Sequence, residues 1–232
     1  VSNTMGKVSA DEVTKILNVA LQNGINTLDT ASLYGSSEAV LGRTGISKWN
    51  VISKLSPLPR TDLNIDLWVR GQVANSLKLL KQPNIQGFLV HNSSQLIGVQ
   101  GDEIWAALGA LKAEGIIKKI GVSVYDFDEL EILLKRYDFD IVQCPYNILD
   151  RRLETSGCLQ EMFTAGVEVH ARSIFLQGLL LLTKSQRPAQ FNAWSQLWSQ
   201  LGDWYLENEI SPLEACFNFG LDNDKISKVI IG

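Results

Sequence analysis

Short apolar runs alternate with helix-period stripes along almost the whole chain, and no other feature narrows its fold as much. The apolar runs fall at residues 25–29, 51–55, 88–91, 120–124, 141–144, 167–171 and 228–231. Each is short and continuous rather than alternating, which suits a strand buried on both faces. Between them Val69, Val73, Leu77 and Leu80 recur at helical spacing, as do Ile104, Leu108 and Leu111, then Leu130, Leu133 and Leu134. Trp194, Leu197, Trp198 and Leu201 form a further stripe with the character of core residues. Ser9 with Glu12 reads as a capping box before Val13, Ile16, Leu17, Ala20 and Leu21, and Gly24 stops that helix. Ser211-Pro212 with Glu214 repeats the signal, with proline at the first helical position.

Strands alternating with helices call for a parallel sheet covered by helices. No GxGxxG turn follows a strand, so the sequence does not support a doubly wound dinucleotide fold. The expected fold is a TIM-type (β/α)8 barrel, apparently truncated at both ends. No strand precedes the first helix and no helix follows the last strand. The 232 residues fall just short of the roughly 250 typical of that barrel. With no linker or low-complexity stretch, residues 1–232 read as a single domain.

Composition removes several function classes. Hydrophobic residues make up 45% and charged residues 20%, the balance of a soluble globular protein. No apolar run is long enough for a bilayer, and Val1-Ser2-Asn3-Thr4 lacks the features of a signal peptide. A net charge of −4 disfavours nucleic acid as a partner. Cys144, Cys158 and Cys216 form no CxxC pair and read as small buried residues, so a reducing cytoplasm is the expected compartment. With only His91 and His170, a metal-dependent hydrolase lacks its ligand cluster, and no metal site is expected. His170 sits inside an apolar run and reads as structural or pocket-lining.

Catalytic groups in β/α barrels sit where strands end. Those positions hold Asp29, Lys54, His91, Ser123, Gln143 and Arg172, and Tyr34 lies in the loop after Asp29. Singly, each has a structural explanation: a loop-forming aspartate, a solvent-directed lysine, a satisfied histidine, a packed tyrosine. Together they make a proton-delivery device. A phenol with a pKa of about 10 is a poor acid near neutrality, and a neighbouring ammonium is expected to lower that value. Asp29 would orient the ammonium of Lys54, and a neutral His91 would direct a carbonyl toward Tyr34.

The stretch Gly24-Ile25-Asn26-Thr27-Leu28-Asp29-Thr30-Ala31, continuing through Tyr34-Gly35-Ser36-Ser37-Glu38 to Leu41-Gly42, resembles the aldo-keto reductase signature. Val51-Ile52-Ser53-Lys54-Leu55 resembles the family's lysine strand, and Phe88-Leu89-Val90-His91-Asn92 its histidine strand. Ile120-Gly121-Val122-Ser123 and Val142-Gln143-Cys144-Pro145-Tyr146-Asn147 match in order and spacing. The resemblance covers essentially the whole chain. It implies a catalytic tetrad of Asp29, Tyr34, Lys54 and His91, with Tyr34 as proton donor. It also implies NADPH as the usual cofactor, with NADH as the alternative, and a small carbonyl compound as substrate. Ser123 and Gln143 match residues that hold the nicotinamide carboxamide. The asparagine that often follows that serine is Val124 here. Arg172 stands where many members stack an aromatic ring on the nicotinamide, a role a planar guanidinium can take. Ser173-Ile174-Phe175-Leu176-Gln177-Gly178 resembles the loop that wraps the pyrophosphate, which places Ser173, Leu176 and Gly178 at the cofactor.

Family members begin with a barrel strand and continue past the last one into a segment that grips the adenosine end; either the sequence as given omits these segments or the protein is a shortened member with an open barrel seam. An open seam would expose a strand edge and invite association, so the expected state is a monomer or weak homodimer. The leading reading is an NAD(P)H-dependent oxidoreductase that interconverts aldehydes or ketones and alcohols. The alternative is a catalytically silent binding or regulatory module of the same fold.

Overall fold

The computed structural model describes residues 8–59 and 63–231; Val1 to Thr4, which carry the reading of the N-terminus, lie outside them. The elements follow in the order α1 (Ala10–Gln22), β1 (Thr27–Asp29), α2 (Ser37–Thr44), β2 (Asn50–Leu55), α3 (Ile65–Leu80) and β3 (Ile85–Val90). Then come α4 (Ser94–Ile97), α5 (Gly101–Ala113), β4 (Ile117–Ser123), α6 (Phe127–Leu134), β5 (Ile141–Pro145), α7 (Arg152–Thr155) and α8 (Cys158–Thr164). The last are β6 (Glu168–Arg172), two 3-10 turns at Leu179–Leu181 and Ala189–Trp194, α9 (Ser195–Glu207), α10 (Pro212–Leu221) and β7 (Lys228–Val229).

All seven strands lie in one sheet in the order of the sequence, each parallel to the next. Strands laid down consecutively with helices between them give the winding of a β/α barrel, as expected. Among the described residues β1 and β7 pair on one side only. The helix signals hold at both ends of the chain. Ser9 Oγ accepts from the Glu12 amide, and Ser211 with Glu214 forms a complete capping box with Pro212 in the first turn.

Alternation along each strand separates two unlike faces. The outer side chains, such as Val51, Phe88, Val90, Val122, Val142 and Val169, pack with Val69, Leu80, Leu108 and Leu130 of the helices in the main core. Toward the interior Ile52, Leu89 and Ile141 form a small apolar cluster among the described residues. Lys54, Gln143 and His170 share that parity with them. The strands are therefore apolar outward and largely polar inward, which a reading of continuous apolar runs does not separate.

Two glycines let these layers close. A Cβ on Gly121 would lie 1.9 Å from the Ile141 carbonyl oxygen of the neighbouring strand, and one on Gly42 would lie 2.0 Å from the Leu79 carbonyl oxygen. The second explains why the Leu41-Gly42 step belongs to the recognisable motif: α2 crosses α3 at backbone distance. Helix α2 itself was not foreseen in the motif-bearing segment. The three cysteines are buried and unpaired, as expected. The aromatic stripe of α9 differs from expectation. None of its residues is buried, and Trp194 is 53% exposed. Trp198 instead gives its indole N–H to the Phe191 carbonyl and lies under the Arg187 guanidinium. No described helix is long and apolar enough to cross a membrane.

His170, 1% exposed in β6, is pushed down to a pKa of about 4 by burial, against the upward pull of Glu168. Its Nε2 lies 3.5 Å from Glu168 Oε2 without a well-formed hydrogen bond, so the carboxylate offsets only part of the loss of water. The unfolded chain binds a proton here near pH 6.5, whereas the native ring stays neutral until about 4. Stability is then fully present above 6.5 and falls as pH drops toward 4, by about 3 kcal/mol from this group. Urea melts at pH 7 and pH 4.5 should show that loss, reduced in His170→Gln. Gly42→Ala should lower the urea midpoint sharply, by about 2 kcal/mol or more of stability, because backbone must move to admit the methyl.

Candidate active site

Strand ends converge on one side of the sheet. Asp29 closes β1, and Lys54 is the penultimate residue of β2. His91 follows β3 directly, Ser123 closes β4, Gln143 lies in β5, and Arg172 closes β6. The register sets Ser123 beside Gln143 and Gln143 beside His170.

Lys54 is fully buried, and its ammonium donates to Asp29 Oδ1 at 2.5 Å and to the Thr30 carbonyl at 2.9 Å. The solvent-directed reading of this lysine is excluded by that burial. Gln143 gives its side-chain N–H to Asp29 Oδ2 at 2.7 Å. Both carboxylate oxygens are thus committed, one to β2 and one to β5. The Lys54 ammonium lies 5.2 Å from the centre of the Tyr34 ring, and the His91 ring meets that ring edge-on at 5.8 Å between centres. Asp29, Tyr34, Lys54 and His91 are therefore brought together.

The electrostatics depart from expectation at one point. Burial and the Asp29 carboxylate raise the Tyr34 pKa above its ordinary value, against the downward pull of Arg172. The ammonium faces Asp29 rather than the phenol oxygen, so its charge is largely answered before it reaches the tyrosine. Lys54 is itself shifted down by burial, opposed by Asp29. His91 is shifted down by burial and by the Lys54 charge, and its buried Nδ1 has no hydrogen-bond partner among the described residues. The site at rest therefore holds a protonated phenol beside a neutral imidazole.

A cavity of about 240 Å³ opens at this group, lined by Leu33, Pro57, His91, Asn92, Ser123 and Tyr125. The other expected contact residues surround the same strand ends. Arg172 donates to the Val124 carbonyl at 2.7 Å, and its guanidinium carbon lies 3.6 Å from the centre of the Tyr125 ring. Where the resemblance noted a missing asparagine side chain at Val124, the backbone there is bound by arginine. Ser173, Leu176, Gln177 and Gly178 all have positive φ, and Asn147 holds the Ser173 carbonyl at 3.1 Å. The Leu176 amide is spent on Ser173, whereas the Gln177 and Gly178 amides have no backbone partner among the described residues. Successive N–H groups without a backbone partner in a turn are a donor set that an anion can accept from. Tyr125, Thr30 and Asn147 were not foreseen in these roles. Tyr125 lies two residues after Ser123, within reach of the strand-end rule that found the others.

Removing one partner of a buried ion pair leaves an uncompensated charge, at a cost of about 3–5 kcal/mol. Asp29→Ala should destabilise the protein by that order in urea melts. Asp29→Ala with Lys54→Met should recover most of the loss, the coupling being read from the double-mutant cycle.

The profile of the Aldo/keto reductase family matches residues 1–232. Among curated relatives, the chain is 29% identical over 210 residues to the NADH-specific methylglyoxal reductase of Escherichia coli (strain K12), covering 76% of this chain and 61% of that protein. It is 27% identical over 177 residues to the glyoxal reductase of Bacillus subtilis (strain 168), covering 75% and 62%. It thus spans about three fifths of the length of these relatives. Among solved structures, the holo form of an aldo-keto reductase from Bacillus halodurans superposes with a TM-score of 0.78 at 23% identity, over 96% of this chain and 77% of that one. The glycerol dehydrogenase of Gluconobacter oxydans gives 0.74 at 21% identity, over 97% and 77%. Match and geometry agree, and the chain belongs to the aldo/keto reductase family.

Proposed function

We propose that this protein is an NAD(P)H-dependent oxidoreductase that reduces an aldehyde or ketone to an alcohol. The observation that carries this reading is the Tyr34 ring held between the edge of His91 and the ammonium of Lys54, with Asp29 fixing that ammonium. A module that merely binds has no need of an ion pair buried beneath a half-exposed phenol. Bound NADPH or NADH supplies hydride to the carbonyl carbon. Ser123 and Gln143 are the side chains proposed to hold the carboxamide, and the loop of Ser173, Leu176 and Gly178 would take the pyrophosphate. Gln143 would keep its hydrogen bond to Asp29 while presenting its oxygen.

The carbonyl oxygen lies against Tyr34 and His91 in this mechanism. Neutral His91 orients it, and Tyr34 donates its proton as negative charge develops there. Lys54 then stabilises the phenolate left behind, a charge absent from the resting site, so its help falls where it lowers the barrier. The relatives named for methylglyoxal and glyoxal suggest small reactive aldehydes, in keeping with the modest cavity.

Tryptophan fluorescence titrations with NADPH and NADH should show saturable binding. Tyr34→Phe should lower carbonyl reduction by about 10²–10⁴-fold with little change in cofactor affinity. Equal loss of both would mean damage to the fold. Because the Tyr34 pKa is raised and the His91 pKa lowered, kcat/KM for reduction should hold through pH 6.5 without a histidine inflection. It should decline only on the alkaline side, as the phenol loses its proton. A fall with protonation near pH 6.5 would contradict the neutral role given to His91.

A further inference from the structure

Tyr34 is half-exposed in the loop between β1 and α2, and its ring meets the edge of His91 and the charge of Lys54. Among the described residues no hydrogen bond reaches the phenol. Its place at the Lys54 ammonium therefore depends on how the loop backbone is held. The Tyr34 amide donates to the Ala31 carbonyl and the Ser37 amide to the Tyr34 carbonyl, bonds that tie the loop to itself. Side chains on both sides of Tyr34 tie it to β2. After Tyr34, Glu38 Oε1 accepts from Ser53 Oγ at 2.6 Å. Before it, Ser32 Oγ donates to the Lys54 carbonyl at 2.9 Å and lies 2.7 Å from Ser56 Oγ.

The direction of the last bond follows from proton count. A hydroxyl has one hydrogen to give. Ser32 gives its hydrogen to the Lys54 carbonyl, so Ser56 donates to Ser32. The chain from Ser56 through Ser32 ends on the residue whose ammonium faces Tyr34. Lys54 is thus held at both ends by the same stretch of chain: its ammonium by Asp29 and the Thr30 carbonyl, its own carbonyl by Ser32. The pair also reaches the cavity. Leu33 and Pro57, which line it, are the residues directly after Ser32 and Ser56.

We propose that Ser32 is a positioning residue for proton transfer. Through the Lys54 carbonyl and Ser56 it holds the Tyr34 loop on β2, keeping the phenol at the ammonium and joining Leu33 and Pro57 into one cavity wall. The proposal rests on the reductase reading above and adds a residue that touches neither substrate nor cofactor.

Misplacing a reacting group by about 1 Å costs on the order of 10²-fold in rate. Ser32→Ala should therefore lower kcat for benzaldehyde reduction by about 10–100-fold, with cofactor affinity unchanged. Added to Tyr34→Phe, the same substitution should cost nothing further, because it acts through the phenol. An equal loss in both backgrounds would overturn the proposal, and so would a wild-type kcat in Ser32→Ala. If Ser32→Ala does not fold, Ser56→Ala removes the neighbouring bond alone and should show the same dependence on Tyr34. A wild type that reduces neither benzaldehyde nor glyceraldehyde with NADH or NADPH would sink the reductase reading by itself. Alkaline ultraviolet titration then decides Ser32 separately, with the Tyr34 phenol read as the difference from Tyr34→Phe. Its raised pKa should move back toward the ordinary tyrosine value in Ser32→Ala, as the freed ring gains water. An unmoved titration would overturn the positioning role.

Discussion

The pairing of Asp29 with Lys54 is the interaction on which the rest of the interior depends. A fully buried ammonium is tolerated only with its charge answered and its donors used, and Asp29 with the Thr30 carbonyl supplies both. The same carboxylate reaches across to Gln143, far along the chain, and so ties β1 and β2 to β5 from the inside. With Ile52, Leu89 and Ile141 as the apolar cluster inside the sheet, these polar contacts share the work of holding the strands in register. Stability comes mainly from the outer face, where helices cover the strands; the inner face is where polar groups are concentrated.

That division shapes the chemistry proposed for the site. Because burial and the Asp29 charge hold its pKa up, Tyr34 stays a protonated phenol at rest and is suited to give its proton rather than to take one. In the proposed step the lysine acts on the tyrosine once a phenolate forms. His91, shifted toward neutrality by burial and by that same lysine, orients without competing as an acid. Burial and this one ion pair thus bear together on the resting state of Tyr34 and His91.

The gross fold was legible in the order of elements. Short apolar runs separated by helical stripes leave a parallel sheet as the economical arrangement, and the seven strands stand in sequence order as that pattern implies. Their limits shifted by a few residues; β3 and β4 each begin three residues before the apolar run. Polar inward residues such as Lys119 interrupt hydropathy without interrupting hydrogen bonding. The α9 stripe shows the opposite failure. Periodicity reports that a face is apolar, but whether anything covers it depends on residues distant in sequence.

At the candidate site, strand period and chain order already place Asp29, Lys54, His91, Ser123, Gln143 and Arg172 at or near strand ends. The sequence by itself could not determine how they divide their bonds. That Lys54 faces Asp29 rather than the Tyr34 oxygen, that Gln143 binds Asp29, and that Arg172 lies against Tyr125 were decided by tertiary structure alone. The reason is physical: a donor chooses among acceptors by distance and burial, and both arise only when strands far apart in the chain close around a common interior.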